Sequence, residues 1–252
     1  MNIEVCGLNV NYVVKGEGEN VLLIPGWGTS IDTYMTLIED VSCYSKIYCL
    51  DMPGCGKTDE PKNPFSVDDY VDFIVSFIAK NRIKNLSLIG HSNGGRIILK
   101  MMCRRKLPFE VNKVCLIASA GLVHTSFKKI ILKCFRKVFD NIFFKRFFSK
   151  EIDSFKKRIA STDYLNASPV MRKTLVKIVN EDLKKNLKDI NVPVLLLFGE
   201  NDTAVPFKDG KIMNKLIKNS GLVKFEECGH FLFLEQRVRV DLILRSFFND
   251  GN

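Results

Sequence analysis

Seven short apolar or alternating stretches recur along this chain, and most stop within a residue or two of a glycine. Residues 9–14 alternate between polar and apolar, as a half-buried strand does, and residues 46–50 alternate more weakly. Residues 21–24, 86–89, 114–118, 194–198 and 222–225 are largely apolar. Between these runs lie segments with apolar residues at helical spacing. In residues 67–80, Val67, Tyr70, Val71, Ile74, Phe77 and Ile78 form one stripe, and Ser66 stands in the N-cap position. Residues 94–105, 207–218 and 231–248 read as further helices. Short buried strands alternating with helices predict an α/β fold: a mostly parallel sheet with helices on both faces. The alternation lapses once, between about residues 122 and 190, and then resumes. One insertion is therefore expected.

The 252 residues suffice for one large domain carrying such an insertion. At 46% hydrophobic and 26% charged residues, disorder is excluded. No apolar run approaches the roughly 18–20 residues that span a bilayer. Glu4 stands where a signal peptide carries basic charge, and no long apolar stretch follows, so secretion is not expected. The eight cysteines form no C-x-x-C pair and no cluster with histidine. No metal or organic cofactor is expected, and reduced thiols in a cytoplasm are the simplest reading. The formal net charge is +10, and all of it lies in residues 121–190. That block carries 17 Lys+Arg against 7 Asp+Glu, leaving 21 of each sign elsewhere, and it holds 8 of the 19 Phe. So local an excess indicates a segment with its own surface role.

Gly90-His91-Ser92-Asn93-Gly94 is a G-x-S-x-G motif between an expected strand and an expected helix. There Ser92 would sit on a sharp strand-to-helix turn, with Gly90 and Gly94 removing side chains that would collide across it. A serine hydroxyl is a weak nucleophile without a base. Of the three histidines, His91 adjoins Ser92 and would point away from it, as a packing or supporting residue. His124 opens the basic block with no strand before it. His230 follows the last expected strand, so it arrives on a loop at a strand's carboxyl end and is the expected base. The acid that orients it is expected in Gly199-Glu200-Asn201-Asp202, and Asp202 is preferred. Glu200 stands closer to the strand end and would brace the loop. An oxyanion needs two amide donors. Asn93 supplies one because it follows the nucleophile, and Trp27 in Pro25-Gly26-Trp27-Gly28 is the best position for the other.

Taken with Asp51-Met52-Pro53-Gly54-Cys55-Gly56, these motifs resemble those of the α/β-hydrolase fold superfamily, over nearly the whole chain apart from the basic block. Its capped bacterial serine hydrolases look most similar: esterases, carbon–carbon hydrolases and carrier-protein methyl esterases. The usual His-Gly is replaced here by Pro25-Gly26, which leaves the backbone donor in place. Ser92 disfavours the relatives that use an aspartate nucleophile. The resemblance implies a roughly eight-stranded sheet formed by residues 1–121 and 191–252, with residues 122–190 as a helical lid. Gly54-Cys55-Gly56-Lys57-Thr58 imitates the tail of a phosphate-binding loop, but Asp51 stands where its first glycine would be.

The expected chemistry is cleavage of a carboxylic ester, or a related acyl substrate, through an acyl-enzyme. Carbon–carbon or amide hydrolysis, acyl transfer and a non-catalytic ligand receptor are the alternatives on the same fold. For the basic block the sequence leaves several roles open. In its first expected helix, Phe127, Ile131, Phe135, Val138 and Ile142 form a stripe opposite Lys129, Lys133, Arg136, Lys137 and Asp140. The stripe would pack on the core or wall an acyl pocket. The basic face would be plain solvated surface, attract an acidic substrate or acidic carrier protein, or rest peripherally on an anionic membrane. Nucleic acid is not expected, because no binding motif accompanies the charge.

Overall fold

The computed structural model describes residues 1–104, 106–123 and 167–249. Eight strands form one sheet: β1 (Asn2–Val5), β2 (Leu8–Lys15), β3 (Asn20–Ile24), β4 (Lys46–Leu50), β5 (Asn85–His91), β6 (Glu110–Ile117), β7 (Val194–Gly199) and β8 (Ser220–Phe225). Their order is β1-β2-β4-β3-β5-β6-β7-β8. β2 runs antiparallel to both its neighbours, and every pairing from β4 to β8 is parallel. This is the mostly parallel sheet the strand pattern predicts.

Seven α-helices are described: α1 (Met35–Val41), α2 (Val67–Lys80), α3 (Asn93–Met102), α4 (Pro169–Val179), α5 (Phe207–Leu216), α6 (Leu232–Glu235) and α7 (Arg237–Asn249). Period-two alternation divides the core into two layers. Leu22, Ile24, Leu86, Leu88, Leu116, Leu196 and Phe198 face one layer with α2, α3 and α5. Val21, Leu23, Ile89, Cys115, Ile117, Leu195 and Leu197 face the other with α1, α6 and α7. Both layers are needed because the central strands are buried on both sides. α2 starts as expected at Ser66, whose hydroxyl and Asp69 form a reciprocal capping box. Such a cap stabilises a helix by about 1 kcal/mol.

Three features differ from the sequence reading. The stretch 231–248 is two helices, because Gln236 leaves helical geometry (φ −128, ψ 53) and its side chain donates to the Glu226 carbonyl. β1 is an additional strand joined to β2 by the tight turn Cys6-Gly7, both at positive φ. α1, preceded by the 3-10 helix Ile31–Tyr34, fills a stretch the periodicity did not mark.

Part of the basic block is described from residue 167 onward, whereas His124, Lys129, Lys133, Arg136, Lys137 and the Phe-rich stripe lie outside the described residues. α4 is anchored to the core on one side: Met171 packs against Gly54, and Thr174 accepts from the Phe65 N–H at 3.0 Å. At its end, the buried Arg96 guanidinium of α3 donates to the carbonyls of Ile178 and Glu181. The last carbonyls of a helix lack internal partners and carry partial negative charge, which suits a cation. Among the described residues no helix is long and apolar enough to cross a membrane.

Candidate active site

The parallel strands deliver their loops to one edge of the sheet, and the five strands β3-β5-β6-β7-β8 lie side by side there. Ser92 leaves β5 at φ 53, ψ −115, a region L residues rarely occupy. Such a backbone costs about 1–3 kcal/mol and persists only where its surroundings over-determine it. Here the Ser92 N–H donates to the Ile117 carbonyl and the Ser92 carbonyl accepts from the Ala120 N–H, each at 3.0 Å. Close approach does the rest. A Cβ on Gly94 would strike the Ile24 and Pro25 carbonyls, and one on Gly90 would lie 2.7 Å from the Gly95 nitrogen. Both glycines named from the motif are therefore places where β3, β5 and α3 touch backbone to backbone. Asn93 opens α3, so its amide is among those with no partner inside the helix.

The loop after β3 crosses directly over the turn. A Cβ on Gly26 would lie 3.3 Å from the Ser92 Cβ and 3.0 Å from His91 Nδ1. The Trp27 side chain is half-buried and packs against the core on the α2–α3 side of the sheet.

Asp202 and His230 come from the adjacent strands β7 and β8, and His230 Nδ1 lies 2.7 Å from Asp202 Oδ2. The Asp202 side chain is fully buried, and its other oxygen accepts from the Ala204 and Val205 amides at 2.7 and 2.9 Å. His230 retains 20% side-chain exposure. Its loop folds back across β7, where Gly199 leaves room for the Cys228 and Gly229 carbonyls. Glu235 accepts from the Gly229 N–H at 2.8 Å, one residue before the imidazole. Glu200 is exposed and pairs with Lys224 at 2.9 Å, away from His230.

His91 is almost fully buried and links the two sides of this edge. Its Nε2 lies 3.0 Å from the His230 carbonyl and its Nδ1 2.9 Å from the Tyr34 hydroxyl. The two imidazole centroids are 4.7 Å apart. Burial pushes the His91 pKa down to about 3, so its ring is neutral. Sequence reasoning anticipated a supporting His91 but missed Tyr34 and Glu235. Neither stands in a motif, and both act across loops.

The loop resembling a phosphate cradle is occupied from within. The buried Asp51 carboxylate accepts from the Lys57 and Ile31 amides at 2.8 and 2.7 Å and from the Asn11 amide side chain at 2.8 Å. Gly56 (φ 54) leaves the room this carboxylate fills. No cluster of metal-ligating side chains occurs among the described residues.

The chain belongs to the α/β-hydrolase fold family, whose model matches residues 19–236. It is 24% identical over 250 residues to the AB hydrolase superfamily protein YisY of Bacillus subtilis, covering 93% of each chain. It is also 24% identical over 256 residues to a pimeloyl-[acyl-carrier protein] methyl ester esterase of Aliivibrio fischeri, covering 94% of this chain and 96% of the relative. Among solved structures, the meta-cleavage product hydrolase of Pseudomonas fluorescens shares the fold with a TM-score of 0.76 at 24% identity, over 100% of this chain and 98% of that one.

Proposed function

We infer that this α/β-hydrolase is a serine hydrolase that cleaves a carboxylic ester through an acyl-enzyme. The observation that carries the reading is the 2.7 Å His230–Asp202 contact, on the same sheet edge as the strained Ser92 turn. In this reading Asp202 holds His230 by Nδ1, so Nε2 is the bare nitrogen that takes the Ser92 proton. Ser92 Oγ attacks the carbonyl carbon. The negative charge forming on the carbonyl oxygen is met by the Asn93 and Trp27 amides. Collapse expels the alcohol, which leaves with the proton from His230. Water activated by the same imidazole then releases the acid.

Residues 122–190 are read as a lid over this edge, a role that the anchoring of α4 beside the loop after β4 supports. The relative named as a carrier-protein methyl ester esterase favours an acyl group presented on a carrier protein, and the basic block suits an acidic one. A cytoplasmic location accords with the seven described cysteines, none of which is in a disulfide.

A fluorophosphonate probe and a panel of esters graded by acyl length and charge test the reading together. Stoichiometric labelling that vanishes in Ser92→Ala, with ester turnover lost in parallel, is the expected result. Undiminished turnover by Ser92→Ala would overturn it.

A further inference from the structure

Between the two loops that meet at Ser92 runs a chain of hydrogen bonds, buried at its centre, whose proton positions at His91 and Tyr34 follow from the chemistry of their partners. A backbone carbonyl only accepts, so His91 Nε2 carries the proton it donates to the His230 carbonyl at 3.0 Å. In the neutral ring Nδ1 is then bare, and the Tyr34 hydroxyl donates to it at 2.9 Å. A backbone amide only donates, so the Tyr34 oxygen accepts from the Gly26 N–H at 2.8 Å. The Thr29 hydroxyl is 2.9 Å from the Gly26 carbonyl, to which it can donate, and 3.0 Å from the Tyr34 oxygen. That carbonyl and the Trp27 N–H belong to one planar trans peptide, so anchoring the oxygen on one side aims the N–H to the other. Tyr34 is wholly buried between His91 and Phe233, so water has no access to replace the bonds its hydroxyl makes to His91 and Gly26.

We propose that His91 and Tyr34 form a positioning relay that holds the Trp27 amide and the His230 imidazole in register with each other. The relay rests on the serine-hydrolase reading. Neither residue touches substrate. His91 governs the peptide that carries the His230 ring, and Tyr34 governs the loop that carries the oxyanion donor. Asp202 orients the ring from its other side. The base and the donor are thus placed by one continuous structure rather than by two independent loops.

The test uses the full chain, with p-nitrophenyl butyrate as substrate and a fluorophosphonate as active-site probe. Tyr34→Phe keeps the ring packing and removes the hydroxyl's bonds to His91 and Gly26 together with its 3.0 Å contact with Thr29. It is expected to lower kcat by about 10- to 100-fold with KM within about twofold, since misplacement of about 1 Å can cost that much. His91→Leu is expected to behave likewise. His91→Gln, which restores a donor near the Nε2 position, is expected to recover a large part of the loss. The double variant Tyr34→Phe/His91→Leu should be no slower than the slower single variant, because residues acting as a unit are not additive. Imidazole nitrogen NMR should show His91 neutral, protonated at Nε2 and unchanged from about pH 5 to about pH 9. Variants that melt earlier yet keep the wild-type kcat would overturn the relay and leave the serine-hydrolase reading intact. So would single losses that multiply in the double variant. A wild-type protein that neither turns over the ester nor takes up the probe would overturn both.

Discussion

The turn after β5 and the loop after β8 reach the same sheet edge by opposite physical means. Ser92 is held mainly by the exclusion of space. Its neighbours Gly90 and Gly94 lie where any Cβ would strike backbone, and the resulting conformation is strained at φ 53. His230 is held mainly by polar contacts: Asp202 at the ring, His91 at the carbonyl and Glu235 at the preceding amide. A region defined by volume resists changes of pH and salt and fails when a methyl is added. A region defined by hydrogen bonds tolerates volume better and fails when a donor, an acceptor or a charge is removed.

The comparison is broken most severely by removing the hydroxyl proposed as the nucleophile. Ser92→Ala should lower kcat/KM by about 10⁵-fold while leaving the melting temperature near wild type, because alanine keeps the same strained backbone. Steady-state ester kinetics beside thermal denaturation check both halves of that statement. Asp202→Asn should lower kcat by about 10³- to 10⁴-fold, since the charge facing the imidazolium is gone and the tautomer is no longer enforced. Steady-state ester kinetics of the variant beside the wild type check that loss.

Gly94→Ala attacks the other region and should act on stability before activity. A methyl directed at the Ile24 carbonyl should cost about 3 kcal/mol in urea unfolding. A stability unchanged within error would mean that β3 and α3 can part without penalty.

The pH dependence distinguishes the two regions further. His91 is neutral in the fold, with a pKa lowered to about 3 by burial, against an ordinary value of 6.5. Between those values the unfolded chain binds a proton that the native one does not. This contribution to stability is therefore complete above 6.5 and is lost as pH falls, by about 1.4 kcal/mol for each pH unit. Urea unfolding of the wild type from neutral to acidic pH should show that slope, and His91→Gln should flatten it. The smallest effect concerns strain alone. Ser92→Gly should be more stable than Ser92→Ala by about 1 kcal/mol, because glycine occupies positive φ freely.

Local patterns were enough for the strands of the sheet from β2 to β8 and for α2, since each carries its own periodicity and turn residues. α2 begins and ends where its stripe and its N-cap Ser66 predict. β1 was not recognisable, because four residues on a sheet edge with a single buried member carry almost no periodicity. The break at Gln236 was equally hidden. The apolar pattern continues through it, and the departure depends on a bond to Glu226 ten residues away in sequence.

The same division holds at the site. The turn carrying Ser92, Gly90 and Gly94 was legible because a strand-to-helix turn is a local object, whose glycines and hydroxyl occupy five consecutive positions. The positions of Asp202 and His230 after strand ends were legible because each follows an apolar run. What no reading along the chain supplied was the set of contacts among these loops: the Tyr34–His91–His230 chain, the Glu235 brace, and the Arg96 guanidinium at the end of α4. Those partners are separated by 6 to 139 positions in sequence, and a side chain's donor or acceptor has no preferred partner until the sheet sets the distances. Periodicity records which face of an element is buried; only packing in three dimensions decides which polar groups meet there.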